Sequence, residues 1–216
     1  MNREMPGTAA LAGKRAAPAR ARKRLLLLIA VLLVLLTALN LPAVHRWLPV
    51  SLWRDVPPVT SLHPIVEARM KTLVTEAKAQ GISIAITDGF RSSEEQEALY
   101  RKGRDGGGAI VTNARGGESY HNYGLAIDFA LRAKDGRIVW DMKYDGNGNG
   151  KADWMEVVAI AKRLGFAWGG DWKDFPDYPH LQMDFGLSIR QLQWGQRPPE
   201  DLKQAEAPAP AGVRKS

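Results

Sequence analysis

The sequence contains no cysteine and only four histidines among its 216 residues. The lack of cysteine excludes a disulfide framework, a thiol nucleophile and a thiolate metal ligand, so stability must come from the packed core. A phosphate-binding loop is also excluded, because the glycine-rich stretch from Gly103 to Gly117 is not followed by Gly-Lys-Ser/Thr. We expect that stretch to be a mobile loop. No internal repeat is visible.

The positive charge is concentrated at the N-terminus. The formal net charge is +7, and residues 1–24 contribute +6 of it through seven Lys/Arg and one Glu. A basic tail on a nearly neutral chain is not typical of a duplex-binding face, so we expect no nucleic-acid partner. A basic, membrane-tethered nucleic-acid binder is the alternative, and it predicts DNA binding that weakens steeply with salt.

An apolar run follows the basic tail. Residues 25–44 are long enough to cross the hydrocarbon core as a helix. Lys/Arg on the N-terminal side predicts a signal anchor with a cytoplasmic tail at 1–24 and the rest of the chain outside the membrane. The alternative is a cleaved signal peptide, with small-residue sites near Thr37 and Ala43, which would release a secreted protein. Either way, the domain is expected to be extracytoplasmic.

Hydrophobic periodicity predicts a compact α+β domain over residues 61–195, between a linker at 45–60 and a disordered tail at 196–216. We expect a small, mainly antiparallel sheet with the site on one face and helices on the other. The predicted helices span 61–80 with Ser61 as N-cap, 92–101 with a Ser-x-x-Glu capping box, 154–164 and 188–194. The predicted strands are 82–87, 110–112, 125–131, 138–140 and one that begins at His180.

Asp128 occupies an unusual position in the predicted strand 125–131. Period-two alternation places the large apolar side chains on one face and Asp128 on the other, between two alanines. An ionised carboxylate there is costly unless a cation or a hydrogen-bond donor meets it. His121 and His180 offer two imidazoles. Two imidazoles and one carboxylate are ligands that a catalytic zinc ion uses while it keeps a position open for water.

Asp177 lies three residues before His180, within reach of a general-base role toward such a water. Structural interpretations compete with this one. A lone buried Asp often caps a strand end or a turn, and a lone His is often a core residue with satisfied hydrogen bonds. Spacing alone leaves both interpretations open.

Residues 145–156 form a second candidate metal motif, Asp-x-Asn-x-Asn-Gly-x5-Glu, which fits a calcium-binding loop. The oxygen ligands would come from Asp145, Asn147, Asn149, Asp153 and Glu156. The preceding segment is predicted to be a strand rather than a helix, and the few charges predict modest affinity. The alternative, which we favour, is a Gly/Asn connector whose Asp153 caps the next helix.

Several ordered motifs resemble the VanY-like D-alanyl-D-alanine carboxypeptidase family of zinc peptidases, over about Ser61 to Gln193. They are Asp88-Gly-Phe-Arg-Ser92, Ser119-x-His121-x-x-Gly124-x-Ala126-x-Asp128, Trp168-Gly-Gly-Asp-Trp172 and Asp177-x-x-His180. Carboxypeptidase members of the family use Glu where this chain has Asp177. The Asp form resembles the L-alanyl-D-glutamate endopeptidases of cell walls and phage endolysins. The His-x-His pair of the related lysostaphin-type enzymes is absent, because Leu-Gln follows His180.

The resemblance implies a role for each matching residue: His121, Asp128 and His180 bind zinc, Asp177 is the general base, and Arg91 contacts the substrate near the scissile carbonyl, where its guanidinium opposes oxyanion charge. Gln96 and Ser119 are further candidates for substrate contact.

The substrate implied by the resemblance is the stem peptide of peptidoglycan, which suits a domain outside the membrane. We expect cleavage between L-Ala and D-Glu by a monomeric enzyme. The alternatives are removal of a terminal D-Ala and, from another class, a non-catalytic wall-binding module that keeps the metal.

Overall fold

The computed structural model describes residues 27–35, 37, 49–50, 55–105 and 109–201. The chain divides into two units, Met1–Leu48 and Pro49–Ser216. In the first unit, residues 27–35 and 37 are helical and their side chains are exposed. No helix in the described part of the chain is long and apolar enough to cross a membrane. The predicted tail at 1–24, much of the predicted span at 25–44, and residues 202–216 lie outside the described residues.

The second unit is an α+β domain, as predicted. Its helices are α1 Pro64–Ala79, α2 Ser93–Arg101, α3 Asp153–Arg163 and α4 Ile189–Gln193. Its strands are β1 Ile84–Asp88, β2 Ala126–Arg132, β3 Ile138–Val139, β4 Ala167–Trp168 and β5 His180–Gln182. Two short 3₁₀ turns, Tyr120–Tyr123 and Gly169–Asp171, precede β2 and follow β4.

The sheet is antiparallel at every pairing, with the order β1-β2-β5-β4 and with β3 paired to β2. The central strand β2 therefore contacts three others. Its residues 127, 129 and 131, and Leu125 directly before it, are buried in the hydrophobic core. The Phe129 ring packs 4.7 Å from the ring of Trp154 on α3, centroid to centroid. The predicted alternation of β2 is confirmed, and it leaves Asp128 on the face opposite this core.

Three local predictions are wrong. Helix α1 begins at Pro64 with His63, not Ser61, as its N-cap, because the His63 Nδ1 accepts the Ile65 N–H and proline is favoured at the first helical position. The predicted strand at 110–112 is absent, since residues 109–112 are described and make no ladder. Asp153 does not cap α3: Ala152 is at the N-cap position, and Asp153 accepts the Gly146 N–H instead.

Candidate active site

Three polar residues form a row across the sheet. Asp128 on β2 pairs with His180 on β5 and with Asp88 on β1. A register shift between Ile86 and Asp88 brings Asp88 into this row, which is what a β-bulge does near functional sites. Directly opposite residues in an antiparallel pair have their Cβ atoms about 4.5–5.5 Å apart, so the three side chains share one face.

His121 reaches the same place from the 3₁₀ turn before β2. The Ser119 hydroxyl caps the turn by accepting the His121 N–H at 3.3 Å. Gly124 ends the turn with a φ of +66°, and a Cβ there would lie 2.3 Å from the carbonyl oxygen of Ser61. Only glycine fits this position, because it combines a left-handed conformation with contact between two backbones.

Two hydrogen bonds fix the tautomers of the imidazoles. His121 donates its Nδ1–H to the Gly89 carbonyl oxygen at 2.6 Å, so its Nε2 lone pair is free. His180 donates its Nε2–H to the amide oxygen of Gln182 at 3.0 Å, so its Nδ1 lone pair is free. Partners of this kind orient metal-binding histidines in proteins.

The two free nitrogens and a carboxylate oxygen converge. His121 Nε2 lies 3.2 Å from His180 Nδ1, and Asp128 Oδ1 lies 3.3 Å and 3.4 Å from these two nitrogens. Zinc–ligand bonds of about 2.0–2.1 Å in a tetrahedron place ligand atoms about 3.3 Å apart. The triangle therefore has the dimensions of three ligands of one zinc ion. Among the described residues, these three form the one group of His and acidic side chains whose ligand atoms lie close enough together to bind a metal ion.

The electrostatics of the triangle favour a cation. The Asp128 Oδ1 is buried and has no hydrogen-bond partner among the described residues. Burial works to raise the pKa of Asp128, whereas positive charge at the two facing imidazole nitrogens, carried by their protons or by a cation in their place, holds the pKa well below its usual range. An ionised, buried carboxylate that faces two nitrogen lone pairs is stabilised when a positive ion lies between the three atoms.

Asp177 lies at the entrance to β5 and lines the same cleft as the triangle. Its backbone is held on both sides, because its N–H donates to the Gly169 carbonyl and its carbonyl accepts the His180 N–H. A Cβ on Gly169 would lie 2.4 Å from the Asp177 carbonyl oxygen, so glycine permits this approach. Burial raises the pKa of Asp177, and the neighbouring Asp128 charge raises it further.

Arg91 follows the bulged end of β1 and lines the cleft beside these acids. Its Nη2 forms an ion pair with Asp88 and lies 3.9 Å from the Asp128 Oδ2. Since Asp88 and Asp128 are directly opposite each other on the sheet, this guanidinium offsets the repulsion between two like charges. The side chain keeps 14% of its surface exposed, toward the cleft.

The cleft has a volume of about 740 Å³, within the usual range for a ligand site. The segment 111–114, Trp172 and Phe175 are among the residues that line it. The ring of Trp172 lies 5.1 Å from the ring of His180. The structure thus brings together His121, Asp128, His180, Asp177, Arg91 and Ser119 around one cavity.

Gln96, expected to contact substrate, does not line this cavity. Its side chain is fully buried and its amide is used in internal hydrogen bonds. The predicted substrate contact is therefore not supported by its position.

The structure offers no support for calcium at residues 145–156. The Asp145 carboxylate accepts backbone N–H groups of residues 148, 149 and 150. The side-chain amides of Asn147 and Asn149 donate to Glu156. The Asp145 and Glu156 oxygens thus have hydrogen-bond partners within the connector, whereas the buried Asp153 Oδ1 has none among the described residues, and calcium there stays a prediction.

Sequence reasoning missed three residues that orient the site. The Gly89 carbonyl could not be found from sequence, because any residue supplies a carbonyl. Gln182 had a signal, since it shares a strand face with His180. Asn122 is buried, donates to the Arg91 and Ser92 carbonyls, and accepts from the Gly117 and Ser119 N–H groups.

The geometry is that of a metal-dependent hydrolase, because three ligand atoms converge beside a cleft that also holds an acid and a guanidinium. A family profile described as D-alanyl-D-alanine carboxypeptidase matches residues 112–183. The chain is 61% identical over 139 residues to the peptidoglycan L-alanyl-D-glutamate endopeptidase CwlK of Bacillus subtilis (strain 168), which covers 64% of this chain and 83% of that protein.

More distant similarities were found as well. The L-alanyl-D-glutamate peptidase of Listeria phage A118 is 33% identical over 132 residues, covering 61% of this chain and 41% of that protein. The solved structure of the L-Ala D-Glu endopeptidase ChiX of Serratia marcescens has a TM-score of 0.34 and 18% identity, covering 58% of this chain and 91% of that one. The chain belongs to the D-alanyl-D-alanine carboxypeptidase family of zinc metallopeptidases, which confirms the resemblance of the motifs.

Proposed function

We propose that this protein is a zinc-dependent peptidoglycan peptidase that hydrolyses the bond between L-alanine and D-glutamate in the stem peptide. The observation that carries the proposal is the convergence of three ligand atoms at 3.2–3.4 Å on the floor of an open cleft. The choice of bond is supported by 61% identity to an endopeptidase over 83% of its length. Asp177, in place of the glutamate of carboxypeptidases, agrees with this choice.

The residues that would hold zinc are His121, through Nε2, His180, through Nδ1, and Asp128, through Oδ1. When bound, zinc supplies a Lewis acid that polarises the scissile carbonyl and makes water nucleophilic near neutral pH. The hydrogen bonds to Gly89 and Gln182 keep both imidazoles in the tautomer that the metal requires.

Asp177 is the proposed general base. Its carboxylate takes a proton from the water that attacks the carbonyl carbon and delivers that proton to the nitrogen of the departing D-glutamate. Its raised pKa brings it closer to neutral pH, which improves proton delivery to the amine.

Arg91 is the proposed oxyanion partner. As the carbonyl carbon becomes tetrahedral, negative charge grows on its oxygen, and a guanidinium at the cleft surface can donate to that oxygen. The ion pair with Asp88 and the Gln96 contact hold the group in place before the substrate binds.

The test is digestion of a defined disaccharide–stem-peptide with full-length protein in detergent, followed by mass spectrometry of the new termini. We expect an N-terminal D-glutamate fragment, and none with Asp177→Ala. Release of D-alanine would instead identify the carboxypeptidase alternative, which the family description favours. Equal inactivity of both proteins, with binding to the cell wall, would identify a non-catalytic module.

We also propose that residues 25–44 anchor the chain with the peptidase domain outside the membrane. The support is the basic tail directly before an apolar run of about twenty residues. The chain has no cysteine, so a single introduced cysteine reports topology cleanly. In intact cells, Ser216→Cys should react with a membrane-impermeant maleimide and Thr8→Cys should not. Reaction of both would contradict the proposal, and loss of the N-terminal segment would indicate cleavage.

A further inference from the structure

Helix α2 buries a single residue, and that residue is polar. Of its nine described residues, only Gln96 is buried, with 0% of its surface exposed. A buried amide is costly unless its oxygen and its N–H groups find partners. An apolar side chain would be the ordinary choice for a helix position facing the interior, so the amide calls for an explanation.

The partners of Gln96 come from two different parts of the chain. Its Oε1 accepts a hydrogen bond from Arg91 Nη1 at 2.7 Å. Its Nε2 donates to the Ala114 carbonyl at 2.8 Å and to the Thr112 hydroxyl at 3.4 Å. Both residues 112 and 114 line the active-site cleft. The amide thus joins the arginine of the site to the part of the cleft wall formed by residues 112–114.

The guanidinium of Arg91 is consequently held at both ends. Nη2 is paired with Asp88 and faces Asp128, while Nη1 is held by Gln96. The carboxylates alone would allow the planar group to rotate about its ion pair. A second, directional contact on the other nitrogen removes that freedom.

We propose that Gln96 is a positioning residue that aligns Arg91 with the reacting carbonyl and ties it to the cleft wall at 112–114. The proposal rests on the proposed function, in which Arg91 opposes oxyanion charge. Gln96 has no exposed surface and does not line the cleft, so it acts through Arg91 and not on the substrate. Both ends of the amide are used, because one contact needs an acceptor and the other needs a donor.

Two substitutions separate these contacts. Gln96→Glu keeps an acceptor for Arg91 but places an oxygen against the Ala114 carbonyl. Gln96→Met keeps the length of the side chain and removes both contacts. We expect kcat for the defined disaccharide–stem-peptide to fall about tenfold with Gln96→Met, since loss of alignment costs part of what the aligned group contributes. Gln96→Glu should lose less, and KM should change less than kcat.

The decisive experiment is a double-mutant cycle with Arg91→Lys in the full-length protein. If Gln96 acts through Arg91, Gln96→Met should change kcat less than twofold once Arg91 is already replaced. Equal fold losses in both backgrounds would overturn the proposal. So would an unchanged kcat in folded Gln96→Met, with only a lower melting temperature, because that result describes a merely structural amide.

Glu97 supplies the matched control. Its Oε2 accepts the Gly116 N–H, so it also ties α2 to the glycine-rich loop, yet it makes no contact with Arg91 among the described residues. Glu97→Met, which removes this acceptor, should leave kcat within twofold of wild type. If it reproduces the loss seen with Gln96→Met, docking of the loop is the cause and the proposal is wrong.

A spectroscopic measurement keeps this inference separate from the proposed function. Absence of any hydrolysis by wild-type protein would defeat the proposed function, but the side-chain ¹⁵N signals of Arg91 would still report its mobility. They are assigned by their disappearance in Arg91→Lys. We expect restricted rotation in wild type and free rotation in Gln96→Met. Equal rotation rates in the two proteins would overturn the positioning role.

Discussion

Zinc should raise the melting temperature of this protein through three side chains alone. The ligand atoms of His121, Asp128 and His180 already lie 3.2–3.4 Å apart, so binding requires little rearrangement. A ligand that binds only the folded state stabilises it by about 2.7 kcal/mol at 100 times its Kd and about 4.1 kcal/mol at 1,000 times. For a unit of this size, 1 kcal/mol corresponds to about 2–4 °C. We therefore expect rises of about 5–11 °C and about 8–16 °C.

The assay is differential scanning calorimetry at buffered free zinc concentrations, starting from chelator-treated protein. His121→Ala removes one ligand. If that weakens binding about a thousandfold, the stabilisation at the higher concentration falls to about 0.4 kcal/mol by the same relation, or about 1–2 °C. His63→Asn is the matched control, because His63 caps α1 with its Nδ1, outside the triangle, and asparagine also caps helices.

The control separates metal binding from general damage. His63→Asn should melt lower or at the same temperature as wild type, and zinc should still raise its melting temperature by the full amount. A melting temperature that ignores zinc in wild type, or that rises equally in His121→Ala, would refute the assignment of the triangle as a metal site.

Three further predictions follow from single contacts. Asp177→Asn should lower kcat about 10²–10⁴-fold. In wild type, kcat/KM should decrease as the pH is lowered through the pKa of Asp177, which lies above the usual value of about 3.9. A variant that keeps the wild-type pH–rate profile would contradict this. Gly124→Ala should lower the free energy of unfolding by more than about 2 kcal/mol in urea titrations. A left-handed alanine costs about 1–2 kcal/mol, and its Cβ would also lie 2.3 Å from the Ser61 carbonyl oxygen. Gly136→Ala, at φ +84° and with open space around the Cβ, should show only the conformational cost. Burial lowers the pKa of His63, so the folded state binds the imidazole proton less tightly than the unfolded state, and stability is lost as the pH falls below about 6.5. The free energy of unfolding of His63→Asn should therefore decrease less steeply toward acid pH. Parallel curves for wild type and variant would exclude a contribution of His63 to the pH dependence of stability.

The parts of the fold that sequence predicted well are those set by local rules. The alternation of β2 follows from its apolar residues, and the capping box at Ser92 forms as its spacing indicates. Each depends on side chains within a few residues of one another, and neither needs knowledge of the rest of the fold.

The wrong predictions share a physical cause. Ser61 is a good N-cap by type, but tertiary contact sets the helix start: the His63 N–H donates to the Gly124 carbonyl, and the chain turns into α1 only after that contact. Asp153 was expected to cap α3, but the Gly146 N–H competes for its carboxylate. In both cases a hydrogen bond to a residue outside the helix outweighed the local capping preference. Gly124 is distant in sequence, and Gly146 is brought back to Asp153 by the loop between them.

The candidate site divides in the same way. The residue types of His121, Asp128 and His180, together with the alternation of the strands that carry Asp128 and His180, indicated a metal site. The side chains that orient them were less accessible to sequence reasoning. Glutamine is usually found at the protein surface. The burial of Gln96 depends on its hydrogen bonds with Arg91 and Ala114, which only the folded chain brings together.

The packing of residues 61–63 against Gly124 decides where a shortened version of this enzyme can begin. The segment before α1 touches the back of the turn that presents His121, with the Ser61 carbonyl and the His63 N–H both in contact with Gly124. A protein cut at the first helical residue, Pro64, would keep every residue of the cleft and still lose the support behind one metal-facing imidazole. Trimming for crystallisation or secretion should therefore spare these residues.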